Sequence, residues 1–532
     1  MRYLKIIVLT LIVLAATFLR LYKLTDVPPS LNWDETAAGY NAYTIANWGA
    51  DEYGNKFPIT FRSFGDDKHP VHIYITALFV KVFGLNEFVT RFPSALFGIL
   101  TVVAIYFLVK KMFKSEVAGI FASLFLAVSP HHLQLSRGLW EANFALSFYI
   151  FGLLFFYKFL EKKKWMLPIS ILCFGLSFFS YHSSKVLVPP TLILLLVFYF
   201  KKIVKDRKIL IISGLVFLLF VGLTIKDPRI LGFARVEQNK FSKDDIKNTF
   251  IYQKTNSQIL GKAEIVFDSY KTYFYPKYLF TSGDTNPRNS ANAFGQFYKI
   301  DALLMVVGIV ALILLRSKES LTMAMWLILA PLPAALAGGP QNAIRACFMI
   351  GVGIILSALG AAKIAAIFKK KVWYVAISIL VLAPLFWEFG KYMNYYYTVY
   401  GQKHAIEWQY GMKGIVRYLK KNPDRVQVYM DKIRQQPYIF FLYYLKTPLP
   451  ELLETVKYDQ SESKSYNTVV SFDKYQFGGN WNIIDSIPTC GVTYIMTPSY
   501  HSGLRYAADL ETKEVIEYPD GSDAFYIVEG CK

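Results

Sequence analysis

Apolar runs recur along this chain from residue 6 to residue 389, and short lysine and arginine clusters stand between them at alternate ends. The runs cover 6–19, 91–111, 117–133, 143–160, 165–181, 186–201, 208–225, 300–316, 321–337, 345–367 and 372–389. A spanning helix needs roughly 17–25 apolar residues, so several runs lie near the minimum and their ends stay open. The first run, Ile6 to Leu19 behind Arg2 and Lys5, resembles the apolar core of a secretory leader. No small-x-small cleavage site follows it, and Arg20-Leu21-Tyr22-Lys23 leads straight into an acidic segment, so a retained first helix is expected.

Composition agrees: 54% of residues are hydrophobic and 18% charged, whereas a soluble chain has about one quarter charged. A single soluble core is excluded. The net charge of +20 raises the question of nucleic acid, but the basic residues fall in clusters between apolar runs and not on one face. They read as topology signals, and no nucleic-acid partner is expected.

Those clusters are Lys110, Lys111 and Lys114; Lys162 to Lys164; Lys201, Lys202, Lys205, Arg207 and Lys208; Arg316 and Lys318; and Lys369 to Lys371. With Arg2 and Lys5 cytoplasmic, about eleven helices satisfy the positive-inside rule throughout. The expected protein is a multi-pass cell-membrane protein, with segments 25–90 and 226–299 outside and a C-terminal domain outside. Pro70 to Gly84 is apolar but short, and counting it as a span would invert Lys110 and Lys111. It is read as an interfacial helix.

The expected organisation is a transmembrane domain over 1–390 and an extracytoplasmic α/β domain over 391–532. In the latter, His404 to Lys420 has helical spacing, Val426 to Met430 and Thr493 to Met496 read as strands, and Gln436 to Leu445 reads as an aromatic helix. Tyr392-Met-Asn-Tyr-Tyr-Tyr before it reads as an interfacial belt. Cys173 and Cys347 fall in predicted helices as packing residues. Cys490 and Cys531 share the outer domain, where a bridge is permitted, and no cysteine spacing is a zinc pattern.

Asp34 and Glu35, in Leu-Asn-Trp-Asp-Glu, stand at the mouth of the first span. A charge costs about 2.5–3.5 kcal/mol at mid-bilayer, so acids held at that boundary point to a functional site. The competing reading is a pair of solvated acids capping a helix that starts at Thr36.

Taken together, several segments resemble the bacterial family 39 glycosyltransferases, which group protein O-mannosyltransferases with lipid A aminoarabinose transferases on the C-type membrane glycosyltransferase fold. The matching stretches are Trp33-Asp-Glu-Thr-Ala-Ala-Gly-Tyr, Asp67-Lys68-His69-Pro70, Asn86-Glu-Phe-Val-Thr-Arg91-Phe-Pro-Ser94, Ser136-Arg137-Gly-Leu-Trp-Glu141-Ala-Asn143, Leu279-Phe-Thr-Ser-Gly-Asp284-Thr-Asn-Pro-Arg288, Pro340-Gln-Asn-Ala-Ile-Arg345 and Trp408-Gln-Tyr-Gly-Met-Lys. The resemblance runs to about residue 450. It implies transfer of a sugar from a polyprenyl-phosphate carrier to an envelope acceptor of unknown identity at the outer face, with no cofactor.

Under that resemblance Asp34 is the general base and Glu35 positions Asp34 or the acceptor. Lys68, matching the lysine of the family's Lys-Pro-Pro, takes the departing phosphate, with Arg345 and Lys185 as further phosphate ligands. His69, His182, Arg137, Glu141, Asp284 and Arg288 complete the candidate set. Lys185 also reads as a snorkelling lysine, Arg345 as a headgroup anchor, Arg137 with Glu141 as a structural ion pair, and Asp284 to Arg288 as a turn. Two positions depart from the family: Ala37 stands where the aminoarabinose branch has arginine, and Lys68-His69-Pro70 replaces Lys-Pro-Pro. Both point away from lipid A aminoarabinose transfer.

Two other classes compete. A flippase for polyprenyl-linked glycans suits many helices, but paired halves are not visible in the sequence. A metal-dependent oligosaccharyltransferase-like enzyme would use Asp34 with Asp66 and Asp67 as ligands. The family reading needs no metal.

Overall fold

The computed structural model describes residues 2–232, 241–367, 371–430, 436–459, 469–478 and 488–530. They form two compact units, Met1–Tyr22 with Ser94–Tyr395, and Lys23–Pro93 with Tyr396–Lys532. Along the chain, α1 (Arg2–Leu21) precedes α2 (Trp33–Trp48), a hairpin of β1 (Phe61–Ser63) and β2 (Asp66–Lys68), and α3 (Pro70–Phe83). Next come α4 (Glu87–Phe113), α5 (Glu116–Val128), α6 (Pro130–Arg137), α7 (Glu141–Leu160), α8 (Met166–Phe178), α9 (Ser184–Ile203) and α10 (Arg207–Lys226).

The first unit is helical and later adds Lys299–Leu315, Lys318–Leu329 with Leu332–Leu336, Phe348–Ile367 and Lys371–Tyr395. A helix therefore stands at each of the eleven apolar runs. Among the described residues, seven helices have the length and apolarity to cross a membrane, and the pair α5–α6, bent by 58°, makes eight. The bend has a local cause: Pro130 opens α6 and cannot donate an N–H to α5, while the Ser129 hydroxyl takes the His132 N–H. α8, at 13 residues, is shorter than a full span, and Lys299–Leu315, at 17, is at the minimum.

Small residues and hydroxyls join these helices, as expected where apolar contact alone gives no preference over lipid. Ser170 and Ser177 of α8 donate to the Gly152 and Ala145 carbonyls of α7 at 2.7 and 2.8 Å. A Cβ on Gly308 would stand 2.1 Å from the Leu356 carbonyl oxygen, and one on Gly360 would stand 1.9 Å from that of Leu304. The two backbones touch at both glycines.

The bend leaves α5 carbonyls open inside the unit, and arginines meet them. Arg20, at the end of α1, donates to the Leu126 and Ala127 carbonyls at 3.3 and 3.2 Å. Arg137, at the end of α6, donates to the Leu19 carbonyl at 2.6 Å and that of Tyr22 at 2.9 Å. Both arginines are buried.

In the second unit, the segment 23–93 folds with the tail. The Tyr40 hydroxyl of α2 donates to the Thr447 carbonyl at 2.9 Å, beyond the helix Tyr438–Leu445. The tail carries β3 (Gln427–Met430), β4 (Lys457–Tyr458), β5 (Val469–Phe472), β6 (Tyr475–Phe477), β7 (Val492–Met496), β8 (Leu510–Glu517) and β9 (Asp523–Gly530). They form one sheet in the order β4-β5-β6-β3-β7-β9-β8, with β3 parallel to both β6 and β7. The two strands expected from the sequence are thus central neighbours.

The helix expected over His404 to Lys420 is found only over Met412–Lys421, because Gly411 at φ +104° interrupts it. Of the tyrosines expected to form an interfacial belt, Tyr392 and Tyr396 are buried. Cys173 and Cys347 are buried and unpaired. Cys490 is disulfide-bonded, and Cys531 lies outside the described residues.

Gly360→Leu should push helix Phe348–Ile367 off its neighbour and lower stability by about 1–3 kcal/mol, the usual range for overpacking. Thermal unfolding of the purified protein in detergent should show a lower midpoint and a smaller folded yield. An unchanged midpoint would mean that the close approach does not exist.

Candidate active site

The acidic pair is built by a helix start. The Asn32 side chain accepts the N–H groups of Asp34 and Glu35 at 2.9 and 3.1 Å, and the Glu35 carboxylate takes the Asn32 N–H at 3.1 Å. This is a reciprocal capping box, so the helix begins at Trp33 and not at Thr36. Both acids therefore lie in its first turn, where the helix dipole favours negative charge. Consecutive helical residues diverge, and the two acids meet different surroundings: Glu35 is wholly buried, while the Asp34 side chain keeps 28% exposure.

Glu35 is held by Arg91, from the first turns of α4. Arg91 Nε and Nη2 donate to the two Glu35 oxygens at 2.9 and 3.0 Å. Its remaining N–H groups go to the carbonyls of Leu24, Pro28 and Ser30. All five donors of this buried guanidinium are used, and the Trp408 ring lies 5.6 Å away. Glu35 is thus a fixed anchor for the start of α2.

Asp34 faces the hairpin. Phe64 and Gly65 form its two-residue turn at φ +51° and +79°, the left-handed pair that a tight hairpin demands. In the register Ser63 opposes Asp66 and Phe61 opposes Lys68, so Asp66 and Lys68 share one face. Lys68 Nζ lies 2.9 Å from Asp34 Oδ1 and 3.3 Å from Asp66 Oδ2. Trp33 Nε1 donates to Asp34 Oδ2 at 2.7 Å, and the Trp33 ring stacks on Phe64 with centroids 5.6 Å apart. His69 is the buried cap residue of α3.

Two participants here were not singled out for the transfer chemistry from sequence. Asp66 is the second carboxylate on Lys68. His72, one turn into α3, is buried, and burial followed by the nearby Lys68 charge pulls its imidazole down to about 3. It is therefore neutral. The period-two spacing Asp66-x-Lys68 was the available signal, had the hairpin been recognised. Among the described residues, no group of three or more His, Cys, Asp or Glu is gathered that could hold a metal.

The remaining candidates lie in the first unit. The Ser183 hydroxyl donates to the Arg345 carbonyl at 2.6 Å, which brings the 182–185 turn beside the Arg345 loop. In that turn Lys185 Nζ is 3.4 Å from His182 Nδ1 and lies over the Phe178 ring at 5.8 Å. Asp284 is a loop brace: it accepts the Asn286 N–H at 2.7 Å, Asn289 Nδ2 at 2.9 Å and the Ala343 N–H at 2.7 Å. The Arg288 carbonyl takes Gln134 Nε2 at 3.0 Å. Arg137 serves helix ends, as described above, and Glu141 opens α7.

Comparison with known proteins agrees with this architecture. A family model for dolichyl-phosphate-mannose-protein mannosyltransferase matches residues 67–225. Two Bacillus subtilis proteins with provisional mannosyltransferase names are similar: YkcB at 25% identity over 41% of this chain, and YycA at 32% over 24%. Those matches span 30% and 18% of the two relatives, less than a third of either. Among solved structures, ArnT of Cupriavidus metallidurans bound to undecaprenyl phosphate superposes with a TM-score of 0.55 at 11% identity, over 98% of this chain and 97% of that one. The Archaeoglobus fulgidus oligosaccharyltransferase tethered to an acceptor peptide gives 0.53 at 15% identity, over 98% and 74%. The fold is that of the C-type membrane glycosyltransferases.

Removing one partner of a buried ion pair leaves an uncompensated charge, so Arg91→Ala should cost about 3–5 kcal/mol. Thermal unfolding in detergent should show a large drop that Arg91→Lys does not restore, since lysine cannot reach five acceptors.

A pH effect follows from Glu52, whose buried carboxyl is pushed from the ordinary 4.5 up to about 8 by burial and then by Asp51. The folded state holds that proton longer than the unfolded state. Stability from this group is therefore full below about pH 4.5, is lost as pH rises toward 8, and is level above. Midpoints measured across this window should fall for the native chain, and Glu52→Gln should remove that part of the slope.

Proposed function

We propose that this chain, family 39-like in its motifs and C-type in fold, is a membrane glycosyltransferase. It moves a monosaccharide from a polyprenyl-phosphate carrier to a cell-envelope acceptor, whether glycan, lipid or protein, by a single inverting displacement. The observation that carries the reading is the salt bridge between Asp34 and Lys68 at the start of α2, which puts a candidate base against a candidate phosphate ligand.

Asp34 takes the proton of the acceptor hydroxyl as that oxygen attacks the anomeric carbon. Lys68 stabilises the phosphate that departs. The two roles are coupled: a donor phosphate at Lys68 draws the ammonium away from Asp34, and the released carboxylate becomes the stronger base. Glu35 holds Asp34 in place through the capping box, and neutral His72 adds no competing charge. Within the first unit, the Lys185 turn and the Arg345 loop lie beside each other, and both residues are candidate phosphate ligands by the same chemistry.

An apolar groove supports a lipid-linked donor. It lies between α8, α9 and α10, has a volume of about 400 Å³, and is walled by Phe174, Phe178, Val188, Leu192, Phe217 and Phe220. Phe178 is also the ring beneath Lys185, so the apolar wall adjoins a cation. The alternating basic clusters support a cytoplasmic N-terminus, with the acidic segment and the C-terminal domain outside, where nucleotide sugars are not normally available.

Purified protein in detergent, given a synthetic polyprenyl-phosphate monosaccharide and a strong chelator, should transfer the sugar with inverted configuration. Asp34→Asn should lower turnover by about 100-fold or more while lipid-donor binding stays near normal. Lys68→Ala should weaken both. Native turnover in Asp34→Asn, or transfer from a soluble nucleotide sugar with none from the lipid donor, would overturn the reading.

A further inference from the structure

The helix Gln258–Thr272, in the segment between α10 and the helix Lys299–Leu315, has its two sides reversed from those of a soluble amphipathic helix. Ile259 and Phe267 are 80% and 64% exposed, and Leu260 is exposed beside them. With Ala263, Val266 and Tyr270 they fall within about 120° of one another around the helix axis. They form one apolar stripe, which the described residues leave largely open.

The opposite side is the one that packs. Gly261 points about 160° away from the middle of the stripe. It is buried, and a Cβ there would stand 2.9 Å from Thr249 Oγ1 and 3.0 Å from Ile246 Cγ2, so the short helix Lys243–Lys247 and the turn after it lie against that side. Glu264 ties down the neighbouring helix Phe250–Thr255 by accepting the Phe250 and Ile251 N–H groups at 3.2 and 2.7 Å. The helix cannot roll its stripe inward without breaking these contacts.

Two observations identify what covers the stripe. It adjoins the outward side of a span: the Tyr270 hydroxyl donates to the Ile328 carbonyl at 2.9 Å, and Ile328 and Leu336 are exposed apolar residues of the candidate span Lys318–Leu336. Charge also stands at the edges of the stripe. Lys262 and Lys271 lie about 40° and 20° beyond its two borders, and both are exposed. Asp268, on the far side, pairs with Lys271 at 2.7 Å. Lysines so placed lay their stems on apolar surface and carry their ammonium groups to lipid headgroups.

We propose that the helix Gln258–Thr272 is an interfacial helix lying in the plane of the bilayer surface. Ile259, Leu260 and Phe267 enter the upper acyl chains, and Lys262 and Lys271 meet the headgroups. The partner is the lipid surface itself. The helix end is stitched to a second loop, because Gln341 Nε2 donates to the Thr272 carbonyl at 2.6 Å and the Asn342 N–H donates to the Tyr273 hydroxyl at 3.0 Å. A lipid-seated helix therefore also holds the 341–342 segment near the membrane surface. This proposal does not depend on the sugar-transfer reading.

The test is spin labelling of the full chain in bilayers of phosphatidylglycerol and phosphatidylethanolamine. A nitroxide is attached after Ile259→Cys, Phe267→Cys or Asp268→Cys, with the native chain labelled in parallel as the background of its own cysteines and thermal midpoints reporting that each variant is folded. Oxygen concentrates among acyl chains and a nickel chelate in water, so their relative effects on relaxation report depth. Labels at 259 and 267 should relax faster with oxygen than with the chelate, and the label at 268 should show the reverse. Equal chelate access at 267 and 268 would place the stripe in water and overturn the proposal. Oxygen preference at all three positions would mean an immersed helix and would overturn it as well. So would protection of 259 and 267 from both reagents, which means that protein covers the stripe; dipolar broadening between labels would identify that protein as a second copy.

Discussion

The second unit is organised by one interaction, the buried pair of Arg91 and Glu35. Bringing both charges out of water costs several kcal/mol each, and their attraction offsets it only where geometry and further hydrogen bonds are complete. Here they are complete: the guanidinium satisfies a carboxylate and three backbone carbonyls, and the carboxylate also caps α2. The segment 24–30, the first turns of α4 and the start of α2 are thereby fixed to one another. Asp34 is one residue along from the fixed point, so its position is inherited from the buried pair. Loss of the anchor would therefore also displace Asp34.

The electrostatics of Asp34 contain a tension that makes chemical sense. A helix start and a lysine ammonium both place positive charge beside the Asp34 carboxylate. An enzyme acting by general base catalysis gains from a base whose strength rises only when the substrate is in place. Under the proposed reading Lys68 would supply that control: it is shared between Asp34 at 2.9 Å and Asp66 at 3.3 Å and so is already held by a second carboxylate.

Much of this was legible in the sequence, because apolar length and the lysine pattern are direct consequences of a bilayer. Helices stand at every apolar run, and β3 and β7 follow the strands read from Val426 and Thr493. Asp34 and Lys68 each stand in a short motif, but the contact between them is set by the fold. The cap is Asn32 and not the acid pair, and the pattern Asn-Trp-Asp-Glu carries that signal, with the acid at the third helical position. The Arg91–Glu35 pair could not be read: 56 residues separate the partners, and nothing local in either segment demands the other. Tyr392 and Tyr396 failed as belt residues for a related reason, since composition reports an aromatic cluster but not which way each ring faces.

The arginines of the first unit answer a different question, how a broken span survives away from water. A helix that stops at Ser129-Pro130 leaves its last carbonyls without N–H partners, and each such group is costly in apolar surroundings. Arg20 meets two of them, and the Tyr298 hydroxyl donates to the Val128 carbonyl at 2.7 Å. The solution is reciprocal. Arg20 sits at the end of α1 and closes the end of α5, while Arg137 sits at the end of α6 and closes the end of α1. Cations at helix C-termini also oppose the negative end of each dipole, so the same two side chains satisfy hydrogen bonds and charge together. This accounts for Arg137 without a substrate. A buried arginine in such a chain is thus accounted for by helix ends, which need cations.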